Sequence, residues 1–138
     1  MPATPFGDLV YLYMGTADFE RDLAYYRDVI GAPVVWSFSR FGAKVAALRV
    51  GGGPLFLIAD HRPAPNCMPI YAVKDLDATL AALAARGFQT EGPPFGIPDG
   101  PCQRFHDPSG NAVALLQMDR PNALGAAYED PGNPHALR

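Results

Sequence analysis

Thr16-Ala17-Asp18-Phe19-Glu20-Arg21-Asp22-Leu23-Ala24-Tyr25-Tyr26-Arg27-Asp28-Val29-Ile30-Gly31-Ala32-Pro33-Val34 reads as an amphipathic helix with its own start and stop. Thr16 or Asp18 can accept from the free N–H groups of the first turn, and Asp18 and Glu20 suit the positive end of the helix dipole. Phe19, Leu23, Tyr26 and Ile30 recur at helical spacing on one side, with Arg21, Asp22, Arg27 and Asp28 largely on the other. Gly31 is a left-handed stop, and Pro33 cannot continue the helix. Apolar runs precede it (residues 9–14) and follow it (residues 34–38), so the local unit is strand, helix, strand.

The same pattern returns at Met68-Pro-Ile-Tyr-Ala-Val-Lys-Asp-Leu-Asp-Ala-Thr-Leu-Ala-Ala-Leu-Ala-Ala-Arg-Gly-Phe88. Asp75 stands where Asp18 stands, Leu76 for Phe19, Leu80 for Leu23, and Gly87 closes the second helix as Gly31 closes the first. A repeat of this length is too long for a solenoid unit and too short for a comfortable domain. Two half-units sharing one core is the economical organisation, within a single domain spanning residues 1–138. Module one covers about residues 8–60, a linker 61–67, module two about 68–118, and a tail 119–138.

Composition narrows the function. With 138 residues, 49% hydrophobic and 18% charged, the chain is globular. A net charge of −3 without a basic cluster argues against nucleic acid as partner. No apolar run approaches bilayer length, and the first residues lack a signal-peptide pattern. The expectation is a cytoplasmic protein with no membrane partner. Cys67 and Cys102 have no CxxC partner and are expected to be small buried hydrophobes.

Module one should continue with strands at 34–41, 43–50 and 55–60, turning at Phe41-Gly42 and at Gly51-Gly52-Gly53-Pro54. The glycine triplet lacks the following helix and Lys-Ser/Thr of a phosphate loop, so it reads as a hairpin turn. Module two should give a strand at 68–73, a helix at 76–86, and strands at 88–90, 102–106 and 111–117. Residues 93–100, rich in proline and glycine, read as an irregular rim over a pocket. Residues 1–7 read as a loose arm, and the tail either frays or packs on a partner subunit.

Together Asp18-Phe-Glu-Arg-Asp-Leu-Ala-Tyr-Tyr-Arg-Asp-Val-Ile-Gly31, Tyr71-Ala-Val-Lys-Asp-Leu-Asp77 and Asp107-Pro-Ser-Gly-Asn111 resemble the vicinal oxygen chelate superfamily of glyoxalase I, bleomycin-resistance proteins and extradiol dioxygenases. The resemblance covers about residues 8–118. It implies an α+β fold of two βαβββ modules whose curved mixed sheets surround a cavity, commonly in a homodimer. Enzymes of that superfamily usually hold a divalent metal with His, Glu or Gln from the first and fourth strands of each module. Those positions fall here on Tyr11 (or Leu12), near Leu57, on Met68 and on Ala114. Tyrosine with leucine, methionine and alanine cannot complete a hard-cation shell. The resemblance therefore implies the fold while the residues imply no metal and no cofactor.

Alternation along the first strand places Tyr11 and Tyr13 on one side, with Val10, Leu12 and Met14 on the side that packs under the helix. Trp36 and Phe38 share a face and serve either as core or as a stacking wall for a planar ligand. Tyr71 leaves the same choice. Arg104 shares parity with Cys102 and His106, and is either a fork for a carboxylate or phosphate or an ordinary solvated arginine. His61, beside Asp60, and His106, beside Asp107, read as strand-end residues. His135 lies in the tail. The expected function is binding of a small apolar or aromatic molecule by Tyr11, Tyr13, Trp36, Phe38, Leu57, Met68, Arg104, His106 and Ala114. The alternative is an enzyme, either metal-dependent with unusual ligands or metal-free using Tyr11 or His106.

Overall fold

The computed structural model describes residues 3–138. The chain forms two compact units. The first joins Tyr11–Cys67 to Asn122–Arg138, and the second joins the N-terminal segment up to Val10 to Met68–Pro121. Each unit is built on one βαβββ module, and the fold is α+β.

In the first unit β1 (Leu9–Gly15) leads into α1 (Phe19–Ala24), and α1 passes directly into a π-helical segment, Tyr25–Ile30. Strands β2 (Val34–Arg40), β3 (Ala43–Leu48) and β4 (Leu55–Ala59) follow, in spatial order β2-β3-β4-β1. The pair β1–β4 is parallel and the other pairs are antiparallel. Asp18 is the N-cap: its Oδ1 accepts from the Arg21 N–H at 3.1 Å. Thr16 acts beside it, accepting from the Asp18 N–H at 3.2 Å and donating to Asp22. Phe19 is buried, and Leu23, Tyr26 and Met14 pack with it against Ala46, Leu48 and Ile58. Ile30, expected on this packed face, is 48% exposed instead. In the π-helical segment Gly31 N–H reaches back five residues to the Tyr26 carbonyl, which turns Ile30 off the apolar stripe. Gly31 then ends the helix at φ 84°, in the left-handed region anticipated for it.

The second unit repeats the plan with β5 (Cys67–Val73), α2 (Leu76–Ala84), β6 (Glu91–Ile97), β7 (Gly100–His106) and β8 (Ala112–Gln117), ordered β5-β8-β7-β6. Asp75 caps α2 as Asp18 caps α1, accepting from the Ala78 N–H at 3.0 Å. Leu76, Leu83, Val73 and Leu115 form its core, joined by Leu80, Phe88 and Phe105. Tyr71 belongs to this core too, 5.5 Å ring to ring from Phe6, which decides its role as packing.

Several expectations are corrected. The described part of the arm, residues 3–7, is pinned, while residues 1–2 lie outside the described residues: Gly7 N–H donates to the Ala72 carbonyl and Ala72 N–H to that of Asp8. The strand expected at 88–90 lies instead at Glu91–Ile97, in the stretch read as irregular. Pro93 and Pro94 have no N–H to pair, but an edge strand needs donors on one side only, and its register slips between Glu91 and Phe95. Buried Gln103 covers that slip, its Nε2 donating to the carbonyls of Glu91 and Gly92. The tail is ordered on its own chain. Helix α3 (Ala123–Glu129) sets Tyr128 edge-on to Phe38, and residues 135–137 pair along the outer edge of β2 through Ser39 N–H to His135 O and Leu137 N–H to Ser37 O, both 2.8 Å. Cys102 is buried as expected, whereas Cys67, at the first position of β5, is exposed. No helix among the described residues is long and apolar enough to cross a membrane.

Candidate functional site

Residues paired directly across a sheet share a face. In the first unit the pairs Tyr11–Leu55, Tyr13–Leu57, Leu57–Ala47, Ala47–Trp36 and Val45–Phe38 therefore lie on the face away from α1. Leu12 pairs with Phe56 on the other face, so Tyr11, not Leu12, is the first-strand residue directed away from the core under α1. A register shift between Val34 and Trp36 sends Val34 under the helix and Trp36 to the far face. Trp36 and Phe38 touch at 5.8 Å between ring centroids. Trp36 and Tyr11 are nonetheless well covered, 4% and 8% exposed.

In the second unit the pairs Ile70–Ala114, Ala114–Arg104, Arg104–Glu91, Ala112–His106 and Leu116–Cys102 mark the corresponding far face. Met68 joins it by alternation with Ile70. Arg104 is exposed, with its guanidinium 5.7 Å from the Phe95 ring and no ion pair among the described residues. His106 Nδ1 lies 2.9 Å from Glu91 Oε2. The structure thus groups Tyr11, Tyr13, Trp36, Phe38 and Leu57 on one unit's far face, and Met68, Arg104, His106 and Ala114 on the other's.

The first unit adds a polar cluster that spacing alone did not reveal. Tyr13 Oη and His61 Nε2 are hydrogen-bonded at 3.1 Å, with the rings 5.8 Å apart. Arg62 lies over the Tyr13 ring at 5.6 Å and donates from Nη2 to Asn66 Oδ1 at 2.7 Å. The linker holding these residues presses on the end of β1: a Cβ at Gly15 would come within 1.9 Å of the Pro63 carbonyl oxygen. Burial pushes the Tyr13 hydroxyl up to about 12, against the opposing charge of Arg62. Burial first, and then Arg62, lowers the proton affinity of His61. A neutral imidazole beside a neutral phenol is the state both shifts favour. The available signal was topological: parallel pairing of the first and fourth strands of a module brings residues just after β4 beside the end of β1.

The metal positions implied by the resemblance lie on these faces. Tyr11, Leu57, Met68 and Ala114 offer one phenol, one thioether and two hydrocarbons, and this donor set does not fit a hard divalent cation. Among the described residues no three His, Cys, Asp or Glu side chains gather as a metal-holding group.

Comparison with known proteins agrees with this architecture. Solved structures similar to this chain include methylmalonyl-CoA epimerase from Mycobacterium tuberculosis (TM-score 0.73, 17% identity, 87% of this chain and 93% of that one). Another is a hypothetical protein from Bacillus halodurans C-125 (TM-score 0.70, 12% identity, 81% and 94%). A third is the Streptomyces coelicolor methylmalonyl-CoA epimerase in complex with 2-nitronate-propionyl-CoA (TM-score 0.67, 15% identity, 83% and 99%). At such identities the likeness is one of fold. No curated protein matches the sequence. The family model described as the glyoxalase/bleomycin resistance protein/dioxygenase superfamily matches residues 9–115, and this chain belongs to that superfamily.

Proposed function

We propose that the protein binds a small apolar or aromatic molecule against the far faces of its sheets, without a catalytic metal. The observation that carries the reading is the register. The nine residues selected from the sequence all fall on the faces away from α1 and α2, and the four at metal positions are unsuited to a cation. A homodimer in the cytoplasm completes the reading.

A thermal-shift screen of aromatic and amphiphilic compounds, with methylmalonyl-CoA included, tests it. A true ligand at a hundred times its dissociation constant stabilises by about 2.7 kcal/mol. Elemental analysis after incubation with nickel, zinc, iron and manganese should find no stoichiometric ion. One tightly held ion per chain would overturn the metal-free reading, and a screen with no shift would overturn the binding reading. The Tyr13–His61 hydrogen bond favours a second reading, a metal-free enzyme that moves protons. Solvent-deuterium uptake into a bound carbonyl compound, lost in Tyr13→Phe, would establish it.

A further inference from the structure

We propose that the Arg62 guanidinium, with Tyr13 and His61 beside it, recognises an oxyanion: the carboxylate or phosphate of a ligand whose apolar part rests on the far face of the first unit. This rests on the ligand-binding reading and adds a charge to it. Arg62 is half-buried, and among the described residues its Nε–H has no acceptor. A buried N–H of a charged group left unmade is costly, so native structures supply it with a partner. Its known partners do not neutralise it. Asn66 is a neutral amide, the Tyr13 ring offers only its π face, and no carboxylate is ion-paired with Arg62 among the described residues. Asp60, the acid whose field reaches Tyr13 and His61, has Oδ1 engaged by the Lys44 N–H at 2.9 Å.

The group is also held in place. Asn66 grips one nitrogen, Tyr13 lies against the guanidinium, and Gly15 N–H donates to the Asn66 carbonyl at 3.1 Å, tying the linker to the end of β1. A planar fork fixed in this way matches a carboxylate or phosphate with less ordering cost than a free surface arginine. Tyr13 and His61 add polar groups at the same end of the strand, and Tyr13 shares the far face with Leu57. Arg104 differs: it is exposed to water, which satisfies its charge without a ligand.

The test uses the full chain and three probes of similar shape: benzoate, phenylphosphate and benzyl alcohol. Calorimetry should give a dissociation constant for benzoate or phenylphosphate about tenfold below that for benzyl alcohol, the factor expected of one charge-assisted contact. Whichever anion binds more tightly identifies the natural group as carboxylate or phosphate. Arg62→Met should remove the preference, and Arg27→Met, a surface arginine paired with Asp28, should keep it. In the unmodified protein the Arg62 Nε–H resonance should move during benzoate titration, a readout that stands even where Arg62→Met fails to fold. Equal binding of benzoate and benzyl alcohol, an unmoved Nε–H resonance, or undiminished preference in Arg62→Met would overturn the proposal and leave the binding reading intact. Failure of all three probes to bind would sink both.

Discussion

The two modules follow one plan and differ in what they place on their far faces. Both begin with an aspartate cap in near-identical backbone geometry, Asp18 at φ −150°, ψ 96° and Asp75 at φ −143°, ψ 106°. Both bury an apolar core beneath one helix. The first module's far face is aromatic and carries the Tyr13–His61–Arg62 cluster. The second's is aliphatic around Met68, Ile70 and Ala114, with Arg104 and His106 toward β6. Each unit also takes in one chain end: the N-terminal arm packs on Tyr71 and Phe105, and the C-terminal segment on β2. The duplicated parts hold the fold, and the parts that differ set the character of each far face.

The strongest break of this comparison is in the two cores. Leu48→Ala and Leu115→Ala, both at wholly buried positions, should each destabilise by about 2–5 kcal/mol in urea unfolding. A marked difference between them would mean that the cores are not equivalent. Gly15→Ala comes next, because module two already carries Ala72 at the matching position and module one cannot. Its Cβ would meet carbonyl oxygens of Pro63 and Arg62, so the linker must move, at a cost of roughly 1–3 kcal/mol. The same variant should weaken benzoate binding by displacing Arg62. Asp18→Ala and Asp75→Ala should each cost about 1 kcal/mol of thermal stability, and a clearly larger loss at Asp18 would point to its Thr16–Asp22 neighbours.

The smallest effects concern pH, and they lie at opposite ends of the scale. In module two, the hydrogen bonds from Asn111 and Ser109 hold the Asp107 carboxyl below its usual 3.8. A depressed folded value means that the stabilisation is complete above pH 3.8 and lost as pH falls through that lower value. The Gly110 amide should report this by NMR, and Asp107→Asn should abolish the titration. In module one, Tyr13 is raised from 10.0 to about 12, so its contribution is intact below pH 10 and lost as pH rises through about 12. Ultraviolet titration should show a late tyrosine phase that diminishes in Tyr13→Phe.

Most strands were legible because each is a short apolar run between clear turn signals, as at Phe41-Gly42 and Asp107-Pro108. Side-chain parity was legible for the same reason, and it placed Tyr11 with Tyr13 and Arg104 with Cys102 and His106 on common faces. The edge strand β6 was not legible, since its proline content argues against a strand until Gln103 is seen to cover its register slip. Nor was the tail, whose Tyr128 and Leu137 are single apolar residues without periodicity. The exposed state of Ile30 also escaped the pattern, because a π-helical turn rotates its side chain off the regular period.

By itself the sequence determined the repeated strand-helix-strand unit and its helix caps, both properties of local pattern and residue chemistry. Only the tertiary structure decided that Arg62, His61 and Tyr13 meet, and that Arg62 keeps a buried N–H without an acceptor. The physical reason is distance along the chain: periodicity constrains neighbours a few residues apart, whereas a contact between positions 13 and 62 exists only once β1 and β4 have paired.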